Sequence, residues 1–275
     1  MFKKIFLLFL LVLFNHTVFA NQVFSGFHNP ESVVQDDQGN IYVTEIGEFG
    51  KDGDGKIKKI DTEGNISDFA TGLNDPKGIT IYQGELYATD QDVIVKIKMD
   101  GSWYVFAGTM SFPKTPVFLN DIDVTPLGTF YITDSGNLEG GGMIFIMDTS
   151  GKLEVLMDSD SNESIKAPNG ILPLDNDRFL LVDFATGELF EGSKNSDKLN
   201  KLTDGLGGGD GIVILEDSIL ISDWKNGVIY EYKNNEVKIL NDNFQAAADI
   251  APTNNDQSII VPDMKAGTVT IMDLN

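Results

Sequence analysis

Ile41-Tyr42-Val43-Thr44-Glu45, Leu86-Tyr87-Ala88-Thr89-Asp90 and Phe130-Tyr131-Ile132-Thr133-Asp134 are three versions of one phrase, an apolar strand that ends on an acid. It returns as Leu180-Leu181-Val182-Asp183, Leu220-Ile221-Ser222-Asp223 and Ile260-Val261-Pro262-Asp263. The terminal acids fall at 45, 90, 134, 183, 223 and 263, in steps of 45, 44, 49, 40 and 40 residues. No segment after the first twenty residues shows a long helical period. Short strands repeating at this interval predict an all-β fold, a six-bladed β-propeller. Each repeat has room for four strands. In the first, Ile57 to Ile60 and Ile66 to Phe69 flank the turn Asp61-Thr62-Glu63-Gly64-Asn65; in the second, Val93 to Met99 and Trp103 to Phe106 flank Asp100-Gly101-Ser102.

The two ends of the chain fit together. Val23-Phe24-Ser25-Gly26-Phe27-His28-Asn29-Pro30 matches Asp68-Phe69-Ala70-Thr71-Gly72-Leu73-Asn74-Asp75-Pro76 with one residue inserted. Gln22 to Phe27 therefore reads as a fourth strand without its first three, and the last repeat stops at Asn275 after three. The N-terminal strand is expected to complete the last blade and remove an open edge. Residues 21–275 read as a single domain.

Residues 1–20 read as a signal peptide. Lys3 and Lys4 precede ten apolar residues, Ile5 to Phe14, and Val18 and Ala20 supply small residues before a cut. The run is short for a membrane span, which takes about 20 residues. Export to a periplasm or secretion is expected, with no stable membrane anchor after cleavage.

Composition narrows the chemistry. The 275 residues carry 20 Lys+Arg against 42 Asp+Glu, a net charge of -22. Such a chain is a poor partner for nucleic acid, whose phosphates need a basic face. It has no Cys and only two His, His16 and His28, the first inside the signal segment. Thiolate chemistry, a Ser-His-Asp triad and a His-rich zinc site are excluded on that inventory. Arg178 is the sole arginine. What remains, carboxylates, amides, hydroxyls and lysines, suits an oxygen-liking divalent cation.

The longer loops, Ile46 to Lys56, Gly108 to Leu119, Gly136 to Gly142 and Asp158 to Lys166, share one face of the ring, where a site is expected. Glu31, Lys77, Asp121, Asn169, Asp210 and Asp249 begin the innermost strands, each 13 or 14 residues before its acid. In a closed ring these six points converge on the central channel. Crowded carboxylates repel and raise one another's pKa. A divalent cation relieves that repulsion, Asn can add a neutral oxygen, and Lys77 could instead form a salt bridge. The outer acids, Glu45 through Asp263, are assigned to structure, as acceptors for turns. Trp103 and Trp224 are assigned to packing, and Lys51-Asp52-Gly53-Asp54-Gly55-Lys56 to a plain connector.

Four segments resemble the gluconolactonase family that includes regucalcin (senescence marker protein) and the luciferin-regenerating enzyme. They are Asn29-Pro30-Glu31-Ser32, Leu119-Asn120-Asp121-Ile122-Asp123-Val124, Ala167-Pro168-Asn169-Gly170-Ile171 and Gly209-Asp210-Gly211-Ile212. The likeness extends over nearly the whole chain beyond residue 20, more distantly to NHL-repeat propellers. It implies one divalent cation, Ca²⁺ first and Mg²⁺, Mn²⁺ or Zn²⁺ as other options, on Glu31, Asn169 and Asp210. It implies Asp210 as catalytic base, Asn120 and Asp121 as substrate contacts, and hydrolysis of a small sugar lactone or related ester. Departures are visible: Phe118 stands where the family often has Arg, Ile122 where it has Gly, and Gly208-Gly209 precede Asp210. The alternative is an exported propeller without catalysis that binds a protein, glycan or cation through its loop face.

Overall fold

A computed structural model describes residues 21–274, and the expected signal peptide at 1–20 lies outside them. Six antiparallel four-stranded sheets form the blades, within residues 30–73, 76–107, 119–158, 168–203, 209–241 and 251–273. The sixth has only three strands of its own. Gln22–Ser25 supplies the fourth, pairing Gln22 with Ile271 and Ser25 with Thr268. The ring is thus closed by chain ends paired in one sheet, as the repeat alignment predicts.

Packing follows from the strand period. Side chains alternate between the two faces of each blade, and each face meets a neighbouring blade. Six apolar clusters result, one at every blade junction. Tyr42, Ile57, Ala88 and Val95 join the first blade to the second. Tyr131, Phe179, Leu181 and Phe190 join the third to the fourth. Phe24, Val33, Ile41 and Ile260 join the sixth back to the first. Aromatic pairs reinforce some junctions; Tyr87 and Phe130 lie 4.7 Å apart, Tyr131 and Phe179 5.4 Å.

The outer acids hold the loops between blades. Asp134 accepts from the backbone N–H of Val117, Phe118 and Gly136 at 2.6, 3.0 and 2.8 Å. Asp183 accepts from Lys166, Ala167, Ala185 and Thr186 at 2.8 to 3.1 Å. Asp263 does the same for Gln245 and Ala246. These buried carboxylates replace water for amides that have no strand partner. The structural role assigned to this series is the one they perform.

A second regularity positions the site. In the first five blades the inner strand carries a bulge at one place. Pro30 pairs with Glu45, but the next pair is Val33 with Val43. The same slip occurs at Pro76/Ile79, Leu119/Ile122, Pro168/Ile171 and Gly209/Ile212. A bulge adds a residue on one strand and re-aims its side chains. Here two consecutive residues oppose one on the partner strand, next to the channel.

Candidate functional site

Counting from the bulge gives two stacked rings around the channel. The upper ring is the residue after the strand's first pair: Glu31, Lys77, Asn120, Asn169 and Asp210, with Ala248 following Ala247, which bridges to Asp263. The lower ring is one residue further on: Ser32, Gly78, Asp121, Gly170, Gly211 and Asp249. Asp121 and Asp249, expected beside the others, thus belong one step deeper. The bulge explains the offset, because it inserts a residue without disturbing the apolar alternation on either side.

The upper ring is the floor of a cavity of about 300 Å³. Glu31, Lys77, Asn120, Asn169 and Asp210 all line it, so these sequence-selected residues come together. Each is at most 4 % exposed. The cavity wall is apolar: Ile46, Phe49, Phe118, Leu138, Phe184, Trp224 and Met264. Phe49, Phe118 and Leu138 come from three of the four long loops. Ile46, Phe184, Trp224 and Met264 each directly follow an outer acid, which was the available signal for them. Trp224 packs between blades as expected, against Ile46, Ala246, Ala248 and Met264, and in addition lines the cavity wall. Its indole N–H points at the Met264 sulfur at 3.2 Å, and the Lys265 ammonium lies 4.3 Å from its ring. Trp103 packs as expected, beside the cluster between the first two blades, and donates to the Thr71 carbonyl at 2.9 Å.

Three atoms on the floor stand out. Glu31 Oε2, Asn169 Oδ1 and Asp210 Oδ1 are buried acceptors without a hydrogen-bond partner. An unpaired buried acceptor costs about 1–3 kcal/mol, and more when it is charged. Three such atoms from three blades, on one cavity floor, fit an oxygen-liking cation: two carboxylates and an amide carbonyl leave further positions for small ligands. Among the described residues no three His, Cys, Asp or Glu side chains gather as a metal set, so a cation at this floor would need the Asn169 amide oxygen beside the two carboxylates. Burial raises the Glu31 carboxyl well above its ordinary range, Asp210 and Asp249 raise it further, and Lys77 opposes them. Burial and then Asp121 raise Asp210 in the same way, against a hydrogen bond from the Asn169 amide.

Lys77 and Asn120 complete the floor. The Lys77 ammonium donates to the Asp75 carbonyl at 3.3 Å and lies 4.4 Å from the Phe118 ring. Burial pushes its pKa down, with Glu31 opposing. Phe118 thus gives that cation an aromatic face. Asn120 donates its amide to the Ser135 hydroxyl at 3.0 Å, which fixes its orientation. Asp121 is tied into the lower ring instead, accepting from the N–H of Ile122 at 2.7 Å and of Ile171 at 2.8 Å. Asp249 accepts from the Ser32 hydroxyl. In the 51–56 connector, Asp54 accepts from Glu48 N–H at 3.2 Å and pairs with Lys51 at 3.3 Å.

Below the floor a smaller cavity of about 120 Å³ contains Asp121, Asp123 and Asp249. Burial raises Asp123 to about 6, although the Val124 N–H and the Thr80 hydroxyl bond to its carboxylate. The folded state thus binds this proton more tightly than the unfolded chain. The resulting stability is complete below the unfolded value of 3.8 and is lost as pH rises through about 6. Asp123→Asn is expected to match the parent near pH 4. At pH 7.5 it should be more stable by about 1 kcal/mol, a figure reduced for the partial exposure of the group. Urea unfolding at the two pH values checks this; equal stability at both means Asp123 carries no burial penalty.

No family model matches the chain, and no curated protein matches it in sequence. Many solved structures resemble it, two propellers among them. One is in a structure of a nidogen/laminin complex, at 19% identity and a TM-score of 0.63, covering 77% of this chain and 78% of that one. The other is a streptogramin B lyase, at 16% identity and a TM-score of 0.65, covering 93% of this chain and 98% of that one. At these identities the likeness establishes the six-bladed fold and nothing finer.

Proposed function

We propose that this chain is a divalent-cation-dependent hydrolase of a small lactone or related ester, working on the floor of the upper cavity. The observation that carries the reading is the trio of partnerless buried oxygens on Glu31, Asn169 and Asp210. These residues would hold the ion. When bound, a divalent ion supplies Lewis-acid polarisation of the scissile carbonyl. Asp210 is the base: it takes a proton from the attacking water as the water oxygen bonds to the acyl carbon. As the carbon–oxygen bond to the leaving group breaks, that proton passes to the departing alkoxide. Asn120, held by Ser135, orients the water or a substrate hydroxyl. Lys77 is the one positive side chain on the floor and offsets negative charge developing on the ester. The likeness to a streptogramin B lyase supports catalysis on such a ring, and the likeness to a nidogen propeller supports the non-catalytic alternative, a binding module.

The test separates them. Protein residues 21–275 are stripped of metal and melted with added Ca²⁺, Mg²⁺, Mn²⁺ or Zn²⁺, then assayed on lactones and aryl esters. A saturating cation, Ca²⁺ foremost, is expected to raise the Tm by about 5–10 °C, as tight binding to the folded state alone requires. Turnover should appear with the same cation. A cation-induced shift without turnover on any ester supports the binding module, and no shift at all removes the cation site.

A further inference from the structure

The distribution of polar atoms in the upper cavity narrows what can fill it. Every polar side chain lining it stands on the floor: Glu31, Lys77, Asn120, Asn169 and Asp210. Above them the wall offers aromatic and aliphatic surface, and its one polar group, the Trp224 N–H, is already turned to the Met264 sulfur. A sugar lactone carries hydroxyls around its ring. Seated with its carbonyl on this floor, it would press those hydroxyls against side chains that can neither donate nor accept. Each hydroxyl stripped of water and left unpaired opposes binding. An apolar ring in the same place gains from burial against Phe118, Phe184 and Trp224.

We propose that the substrate is a lactone or ester with an apolar, ring-containing body and a single oxygen-rich head, and that sugar lactones are excluded. The head lies on the floor, and the body fills the space up to Phe49 and Leu138, which are 53% and 37% exposed at the rim. The volume of about 300 Å³ is at the small end for ligand sites and suits a fused two-ring body rather than a peptide or an oligosaccharide. The lactone or ester head rests on the hydrolase reading; the apolar body rests on the wall alone.

Non-hydrolysable lactams separate binding from turnover. The probes are 3,4-dihydroquinolin-2-one, a benzo-fused lactam, and gluconolactam, the lactam of the sugar series. Affinity is measured by calorimetry on cation-loaded protein and by emission of Trp224 in a Trp103→Phe background. The fused lactam is expected to bind at least about 30-fold more tightly than gluconolactam and to change Trp224 emission. Leu138→Gln, at a partly exposed rim position, should weaken the fused lactam about fivefold or more while the melting temperature stays within a degree or two. Equal or tighter binding of gluconolactam, no binding of either lactam, or an unaltered affinity in the folded Leu138→Gln variant overturns the proposal. If the fused lactam binds as expected but no lactone or ester is hydrolysed, the hydrolase reading fails and the apolar site stands. If turnover occurs and favours aldonolactones, the hydrolase stands and the apolar site falls.

Discussion

Asp210→Asn is expected to abolish cation binding and turnover while leaving the metal-free protein at least as stable as the parent. The two effects run in opposite directions because Asp210 is a buried charge without enough partners. It is 3 % exposed, one of its oxygens has no hydrogen bond, and Asp121 and Asp223 add repulsion. Replacing the carboxylate by an amide of the same shape removes the cost of burying that charge. It also removes the base and half of the anionic charge offered to the ion. Turnover should fall by about a thousandfold or more, and the cation-induced rise in Tm should vanish. The same substitution one ring further out has the opposite sign. Asp183 is fully buried and accepts from four backbone N–H groups. In Asp183→Asn an amide NH₂ must face N–H donors, so the protein should lose about 2–3 kcal/mol. Urea unfolding of both variants in EDTA, with calorimetric titration of Ca²⁺, reads the contrast. If Asp210→Asn destabilises the metal-free protein as much as Asp183→Asn does, Asp210 is a structural acceptor and the hydrolase reading loses its base.

The contrast also shows what could be read from residues alone. The outer acids were legible because each performs the same hydrogen-bonding task, so an acid closes the second strand in all six blades, although Tyr stands three residues before it only in the first three. The closing strand was legible because Ser25-Gly26-Phe27 stands at its end in the sixth blade as Thr71-Gly72-Leu73 stands in the first, with Ser25 and Thr71 at the same place in the pairing. Glu31, Asn169 and Asp210 were legible for the same reason, each following Pro30, Pro168 or Gly209 and standing 13 or 14 residues before its acid. The third and sixth blades misled, since an acid stands one residue too late in both. Leu119, not Asn120, pairs with Asp134, so Asn120 is the ring member and Asp121 the deeper one. The bulge that decides this leaves no mark on apolar alternation. The cavity wall was the least legible part. Trp224 and Phe184 look like strand-end apolar residues, and only the loop geometry turns them toward the floor.

Gly170→Ala is expected to have the largest effect on stability. In the lower ring, four of the six positions are Ser or Gly, and the glycines are there because the inner strands approach too closely for a Cβ. A Cβ on Gly170 would overlap the carbonyl oxygen of Asp210 on the next blade, and one on Gly78 would come within 2.6 Å of the Asp121 Cα. Both obstacles are backbone, which cannot rotate away as a side chain can. The fifth blade's inner strand must retreat, and the closed ring leaves it nowhere to go without loosening the junction on its far side. The cost should be about 3 kcal/mol or more. Gly108→Ala is the control. Its φ of -82° is ordinary, and its nearest obstacle is the Val105 side chain at 3.8 Å, so it should change stability by less than about 0.5 kcal/mol. The displaced atom in Gly170→Ala is the backbone of the proposed base. The fraction that still folds should therefore show a weaker cation-induced rise in Tm than the parent, which Gly108→Ala should keep. Chemical denaturation with and without Ca²⁺ distinguishes the two variants. A Gly170→Ala protein with parental stability would mean that the inner strands are spaced more widely than the ring described here, and that its floor residues are not held close enough to share one ion.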